Sequence, residues 1–319
     1  MARAITLDEV LEVLGGEVME VFGARERAIT QAAPIRGAQH DQCVTFCSKA
    51  GADGLDVIRA TKAGVVLCEK SVAADERARG SRTLVIVRAP RESFARLVRA
   101  LFGEPRPRGI HPTAVVDPEA RISESTYIGP FTYVGKCEIG EGTVIWGHVH
   151  IYDANVSIGR NVTIHSGSII GTDGFGYVRN ANERLELFPS IGGVIIDDDV
   201  DIHAQVNVDR GTLGNTIIGT GSKIDKFCHI GHNAVVGKHC VITAHSMLGG
   251  GAQIGDYSWI APCGCIRDGG IRIGKRSVIG MAAVVTKDVP DGATVMGMPA
   301  RPEEEYKRLL KEWRKIATL

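Results

Sequence analysis

His229, His232, His239 and His245 lie close together in the chain, and the setting of His232 is the most suggestive. It stands in Ile230-Gly231-His232-Asn233, two residues past an aliphatic, and eighteen positions later Gly250 stands in Leu248-Gly249-Gly250-Gly251. A neutral imidazole takes up a proton near pH 7, and a bare glycine backbone presents N–H groups that can hold an oxyanion. Asp225, seven positions before His232, is the candidate for orienting the ring. His232 as general base, Asp225 as its partner and Gly250 as oxyanion donor form the candidate catalytic set. A hydrogen-bonded surface histidine is the plainer reading of any one of these positions. Zinc binding is the competing use of the cluster and needs three or four converging ligands. His229 and His232 lie only three apart on a bent strand, and His245 falls thirteen positions on, so no metal site is expected within the chain.

These groups need a rigid element to place them. From Ile218 an aliphatic returns every sixth position, through Ile224, Ile230, Val236, Ile242, Leu248, Ile254 and Ile260 to Ile266. Neither a helix nor an ordinary strand keeps that period. It predicts a left-handed parallel β-helix of hexapeptide repeats, three hexads to a turn, with residue i over i+18 about one strand spacing (~4.8 Å) away. The beat also runs through Ile110, Val116, Ile122, Ile128 and Val134, slips to Ile139, Ile145 and Ile151, slips again to Ile158, Ile164 and Ile170, and resumes at Ile196, Ile202 and Val208. It ends with Ile273, Ile279 and Val285. Gly often follows the aliphatic, as at Gly129, Gly159, Gly219, Gly255 and Gly274, which is expected where corners need backbone conformations without a Cβ penalty. The beat breaks at Gly171-Thr-Asp-Gly-Phe-Gly-Tyr177, where a loop reaching to about Gly193 is expected, with Gly174 allowing a tight turn that presents Phe175 for binding.

Four segments follow: a small α/β domain over 1–102, a Pro-rich linker over 103–109, the β-helix over 110–302 and a C-terminal helix over 303–319. Thr6-Leu-Asp-Glu9 reads as a capping box before a helix that stops at Gly15-Gly16; Gly64–Cys68 and Thr83–Val87 read as buried strands. The last segment lines up Tyr306, Leu309, Leu310, Trp313 and Ile316 on one side of a charged helix that must pack on something. Formal net charge is zero, which gives no field for nucleic acid. There is no apolar run of membrane-spanning length and no signal-peptide pattern, so a cytoplasmic protein with reduced, buried thiols is expected from its eight scattered Cys. The flat sides of a coil favour a closed homo-oligomer.

Asp173-Gly-Phe-Gly-Tyr177, Val208-Asp-Arg-Gly211, Thr216-Ile-Ile-Gly219 and Ile230-Gly-His-Asn233, in this order, resemble the UDP-3-O-acylglucosamine N-acyltransferases of lipid A biosynthesis, and the resemblance runs nearly end to end. It implies a homotrimer with clefts between adjacent coils and transfer of a 3-hydroxyacyl chain from acyl carrier protein to the 2-amine of a UDP sugar, with no metal or redox cofactor. It also implies that His232 is the base, that Asp225 supports it, that the Gly250 N–H faces the thioester oxygen and that Asn233 helps hold substrate. Val44-Thr-Phe46 matches the uridine-binding strand, with Phe46 as the stacking aromatic. Two departures bear on the acceptor. Gly270 stands where the family carries a second His, and Cys47-Ser-Lys-Ala-Gly-Ala52 replaces an Asn-Pro-Lys-Tyr stretch. The alternatives are a coenzyme A- or carrier-dependent N-acyltransferase acting on another nucleotide amino sugar and, outside enzymes, a non-catalytic β-helix that binds or scaffolds. Lys275, Arg276, Lys287, Arg301, Lys307 and Arg308 are candidates for a basic patch that receives an acidic carrier.

Overall fold

A computed structural model describes residues 4–73, 80–153 and 155–317 and divides the chain into two compact units at Pro105/Arg106. In the first, Val18–Phe22, Thr83–Val87, Val65–Cys68, Cys43–Phe46 and Gln31–Ala32 form one sheet in that order, antiparallel only at the Val18–Phe22 edge. The inner strands are apolar on both faces because helices cover both. Leu7, Val10 and Leu14 of the helix Leu7–Leu14 and Leu97 of Pro90–Leu101 fill one side; Ile58 of Gly51–Ala60 and Val72 fill the other. The first helix begins as its sequence predicts. Thr6 accepts from the Glu9 N–H, and the Glu9 carboxylate accepts from the Thr6 N–H. One polar atom in this core, the Thr45 hydroxyl, has no partner among the described residues.

The second unit is a β-helix whose short strands stack into sheets of eight, eleven and nine, parallel except for a last antiparallel pairing with Arg301–Pro302. Ile218 lies beside Val236, Ile230 beside Leu248 and Ile242 beside Ile260, so the eighteen-residue coil is realised in the register itself. Every aliphatic from Ile218 to Ile266 on the six-residue beat is 2 % exposed or less. Burying one such side chain contributes about 1.5–3 kcal/mol, which is why the period is kept so strictly. The slips in the beat become coils one residue short or long, with Ile122 beside Ile139 and Ile254 beside Ile273. At the first coil the expected core is open. Its strands form the sheet edges, so Ile110 is 53 % exposed and Val116 and Ile122 are only half-buried.

The glycines after the aliphatics sit where expected, for a different reason. Gly129, Gly159, Gly219, Gly255 and Gly274 do not adopt positive φ. A Cβ at Gly129 would lie 2.5 Å from the Gly147 nitrogen, and one at Gly274 2.3 Å from the Asp291 nitrogen. Contact between coils excludes a side chain there, whatever the backbone conformation. The left-handed corner positions are shared by glycines such as Gly142, Gly221 and Gly251 (φ 65–74°) and by other residues, among them Phe131, His148, Phe227, His245, His239 and Tyr257, with φ of 53–62°. This conformation costs an L residue roughly 1–2 kcal/mol. Stacking along the corners offsets part of it: Phe227 lies on His245 (4.8 Å, 12°), His239 on Tyr257 (5.2 Å) and Phe131 on His148 (5.2 Å), with the Arg276 guanidinium 4.6 Å above Tyr257.

Two excursions leave the coil. Between Ile169–Thr172 and Val194–Ile196 the chain runs out as an antiparallel hairpin, Tyr177–Arg179 against Leu185–Leu187. A shorter one occupies 210–215, between Asn207–Asp209 and Thr216–Ile218. They are tied at the base. Ile191 N–H donates to Thr212 O (2.7 Å), Gly192 N–H to Gly211 O (3.0 Å), and Arg210 Nε to Gly192 O (2.9 Å). The C-terminal helix Glu303–Ala317 packs Tyr306 over Gly297, where a Cβ would come within 2.6 Å of the ring; Trp313 remains 57 % exposed. The Ile316 side chain and residues 318–319 lie outside the described residues.

Candidate active site

The His232 ring is held between two glycine backbones. A Cβ on Gly250, one coil later, would lie 2.6 Å from Nε2 and 2.7 Å from Cε1. A Cβ on Gly174, at the base of the long hairpin, would lie 2.7 Å from Cδ2 and 2.8 Å from the His232 Cβ. Any side chain at either position would displace the imidazole. Gly250 therefore stands beside His232 as the i+18 rule requires, and Gly174 is brought to the opposite side by the excursion. The Gly250 N–H has no acceptor among the described residues, whereas its neighbours are used: Gly249 N–H donates to Ile266 O and Gly251 N–H to His232 O. An unpaired donor beside an imidazole nitrogen is what acyl transfer asks of an oxyanion site.

A cleft of about 290 Å³ opens at the ring, lined by Gly174, Tyr177, Val178, Phe188, Thr212 and His232, among others. Its walls are mainly apolar and come from the hairpin. Phe175 is 89 % exposed, with the Tyr177 ring edge-on to its own (5.0 Å).

Asp225 is not the residue that holds His232 within the chain. It follows the strand Lys223–Ile224, on a different sheet from His229–Ile230, and its carboxylate accepts from the Lys226 N–H (2.8 Å). Instead, Nδ1 of His232 lies 3.2 Å from Thr212 Oγ1 and 3.2 Å from Asn233 Oδ1, and Asn233 Oδ1 also accepts from the Thr212 N–H (2.9 Å). Thr212 was hidden from the hexad reading, although one signal was present. Val208 and Ile218 are ten residues apart instead of six, and the extra residues carry it.

The other histidines disperse. His229 faces the buried Asp209 carboxylate (Nε2 to Oδ2 3.6 Å), which also accepts from Thr172 Oγ1 and Asn207 Nδ2; His239 and His245 belong to the corner stacks. Among the described residues no three His, Cys, Asp or Glu converge on a point where a metal could be held. Gly270 lies one coil beyond Gly251 at φ 77°, and a Cβ there would meet nothing closer than Gly251 O at 3.9 Å, so the volume above the glycine rung is open. In the first unit, Phe46 is half-buried with its ring on Phe94 (5.0 Å, 35°), so part of its stacking surface is taken. The basic residues near the end of the coil are largely neutralised in place. Lys275 pairs with Asp256, Arg301 with Glu305 and Lys307 with Glu303 and Glu304, while Lys287 and Arg308 have no partner among the described residues.

Residues 215–250 match the family described as bacterial transferase hexapeptide (six repeats). Over 334 residues, taking in 95 % of this chain and 87 % of the relative, the chain is 35 % identical to UDP-3-O-acylglucosamine N-acyltransferase 2 of Rhodopseudomonas palustris (strain BisB18). The likeness to UDP-3-O-acylglucosamine N-acyltransferase of Methylobacterium nodulans is higher but shorter, 42 % over 161 residues, half of this chain and 45 % of that relative's length. Among solved structures, UDP-N-acetylglucosamine O-acyltransferase from Moraxella catarrhalis RH4 superposes with a TM-score of 0.55 at 30 % identity, over 62 % of this chain and 77 % of that one.

Proposed function

The chain belongs to the UDP-3-O-acylglucosamine N-acyltransferase family, and from that premise we propose that it moves a 3-hydroxyacyl chain from the phosphopantetheine thioester of acyl carrier protein to the 2-amine of a UDP-3-O-acylglucosamine, as lipid A biosynthesis requires. The observation that carries this reading is the His232 imidazole held between Gly174 and Gly250 at the mouth of an apolar cleft. The sugar amine attacks the thioester carbon and forms the C–N bond. The proton it sheds passes to the imidazole. Charge collects on the former carbonyl oxygen, and the free Gly250 N–H donates to it. The C–S bond then breaks, the imidazolium returns its proton to the departing sulfur, and amide and thiol are left. The remaining gain comes from holding amine and thioester together. Tyr177, Val178 and Phe188 offer an apolar wall to the acyl chain, and Phe46 with its free ring surface a partial platform for uracil. A cytoplasmic homotrimer, with clefts completed between copies, belongs to the same proposal. No helix among the described residues is long and apolar enough to cross a membrane.

The test is an acylation assay that offers hydroxyacyl-acyl carrier protein and acetyl-coenzyme A separately with mono-acylated UDP-glucosamine, products being read by mass. N-acylation from the carrier protein, lost on His232→Ala, supports the proposal. Transfer only from coenzyme A, or none from a folded protein, overturns the donor or the acceptor respectively.

A further inference from the structure

Three hydrogen-bond distances around His232 determine more than its position. The Thr212 N–H can only donate, and it points at Asn233 Oδ1 (2.9 Å), so the orientation of that amide is fixed with its oxygen toward the ring. The same oxygen lies 3.2 Å from His232 Nδ1. An amide oxygen cannot donate, so a lone pair on Nδ1 would face another lone pair at hydrogen-bonding distance. A proton on Nδ1 removes the conflict and gives Asn233 Oδ1 a second donor, with Thr212 Oγ1, also 3.2 Å away, accepting from the same N–H. Neutral imidazole carries one proton, so Nε2 keeps its lone pair.

The surroundings hold this arrangement. Asn233 sits at φ 59°, a conformation that Asn tolerates better than most residues, and its N–H donates to Thr216 Oγ1 (2.9 Å). A Cβ on Gly211 would come within 2.9 Å of Asn233 Nδ2, so the glycine leaves the amide its space. Thr212 is itself pinned by the Ile191 N–H. Nε2, the nitrogen left basic, is the ring atom nearest to a Cβ placed on Gly250.

We propose that Thr212 and Asn233 are positioning residues that lock neutral His232 in the Nδ1–H tautomer, so that Nε2 is the atom that accepts the amine proton. The proposal rests on the reading of His232 as base for its consequence, although the tautomer itself is measurable without substrate. Long-range ¹⁵N NMR of the full-length protein labelled in its histidines, with the His232 signals assigned by their loss in His232→Gln, is expected to show an unprotonated Nε2 and a protonated Nδ1 at neutral pH. Asn233→Gly keeps the backbone conformation and frees the Thr212 hydroxyl to donate to Nδ1. The Nε2–H form should then appear, with kcat down about 10²-fold, the lower end of what a general base contributes. Asn233→Asp retains the acceptor and adds negative charge beside the ring. It should keep the tautomer and move the acid limb of the kcat/KM profile to higher pH. A wild-type spectrum showing Nε2–H, or an unchanged tautomer in Asn233→Gly, overturns the lock. Retained turnover in His232→Ala, with the wild-type ring showing Nδ1–H, would remove the catalytic role and leave the lock standing.

Discussion

Nε2 of His232 and the Cα of Gly250 are so close that a single methyl group added to the glycine would lie 2.6 Å from the nitrogen. Gly250 holds a backbone conformation open to any residue, so alanine there meets no conformational penalty and the collision falls on the ring alone. Gly250→Ala is therefore expected to fold normally and to lose kcat by about 10²-fold or more, since the displaced ring no longer meets the amine proton. Parallel kinetics and thermal melts check this. A variant with wild-type kcat would separate the glycine from the chemistry.

Gly192 and Gly211 make the opposite case, in which the obstruction is backbone. A Cβ on Gly192 would lie 1.7 Å from Gly214 O, and one on Gly211 1.9 Å from the same oxygen. Neither partner can swing aside, so Gly192→Ala must part the two excursions that carry Gly174 and Thr212. We expect a loss of about 1–3 kcal/mol in stability, in the range of overpacked sites, together with a fall in kcat. Gly214→Ala is the control. Its Cβ would meet only Asn233 Nδ2, at 3.7 Å, and denaturant midpoints should place it near wild type.

The corner stacks predict a coupling. Phe227 and His245 both occupy left-handed φ, at 61° and 60°, and lie nearly parallel at 4.8 Å. Each ring should support its neighbour by about 0.5–1.5 kcal/mol beyond its own burial. A double-mutant cycle of Phe227→Ala and His245→Ala, measured by denaturant unfolding, should return a favourable interaction of that size. Strict additivity would reduce the stack to an accident of proximity.

The coil was legible because one physical requirement, an aliphatic under every short strand, repeats often enough to outvote local exceptions. The Gly250 neighbour of His232 followed from the same arithmetic. Thr212 did not, since the repeat is silent about residues it ejects, and the four extra positions between Val208 and Ile218 record an interruption without saying where its side chains go. Asp225 lies apart from His232 within the chain for a related reason. Seven residues is about one side of the coil, and that spacing carries a side chain around a corner onto another sheet. A conformational role explains corner glycines such as Gly221 and Gly251 but not those after the aliphatics, because φ is a local property whereas contact between coils depends on the residue about eighteen positions on.

The thiols give a prediction that tests the burial pattern directly. Burial, with Cys47 and Glu69 nearby, pushes Cys68 up to about 12; burial, with Asp117 nearby, does the same for Cys137, and burial raises Cys228 to about 11. Cys43, Cys47 and Cys240 are also buried, whereas Cys263 is exposed and Cys265 partly so, contrary to the expectation that all are hidden. Cys263 occupies a left-handed corner at φ 61°, outside the core. At pH 7 a disulfide reagent should titrate Cys263 and Cys265 rapidly and the rest only on unfolding. The raised pKa values also set a pH limit. Below about pH 9 these thiols are protonated in both folded and unfolded chains, and their contribution is intact. Between about 9 and 12 the unfolded chain loses protons that the folded chain keeps, so stability must fall as pH rises. Urea midpoints taken from pH 7 to 10.5 should decline above pH 9, less steeply in Cys137→Val, and a flat profile would mean that these thiols reach water in the folded protein.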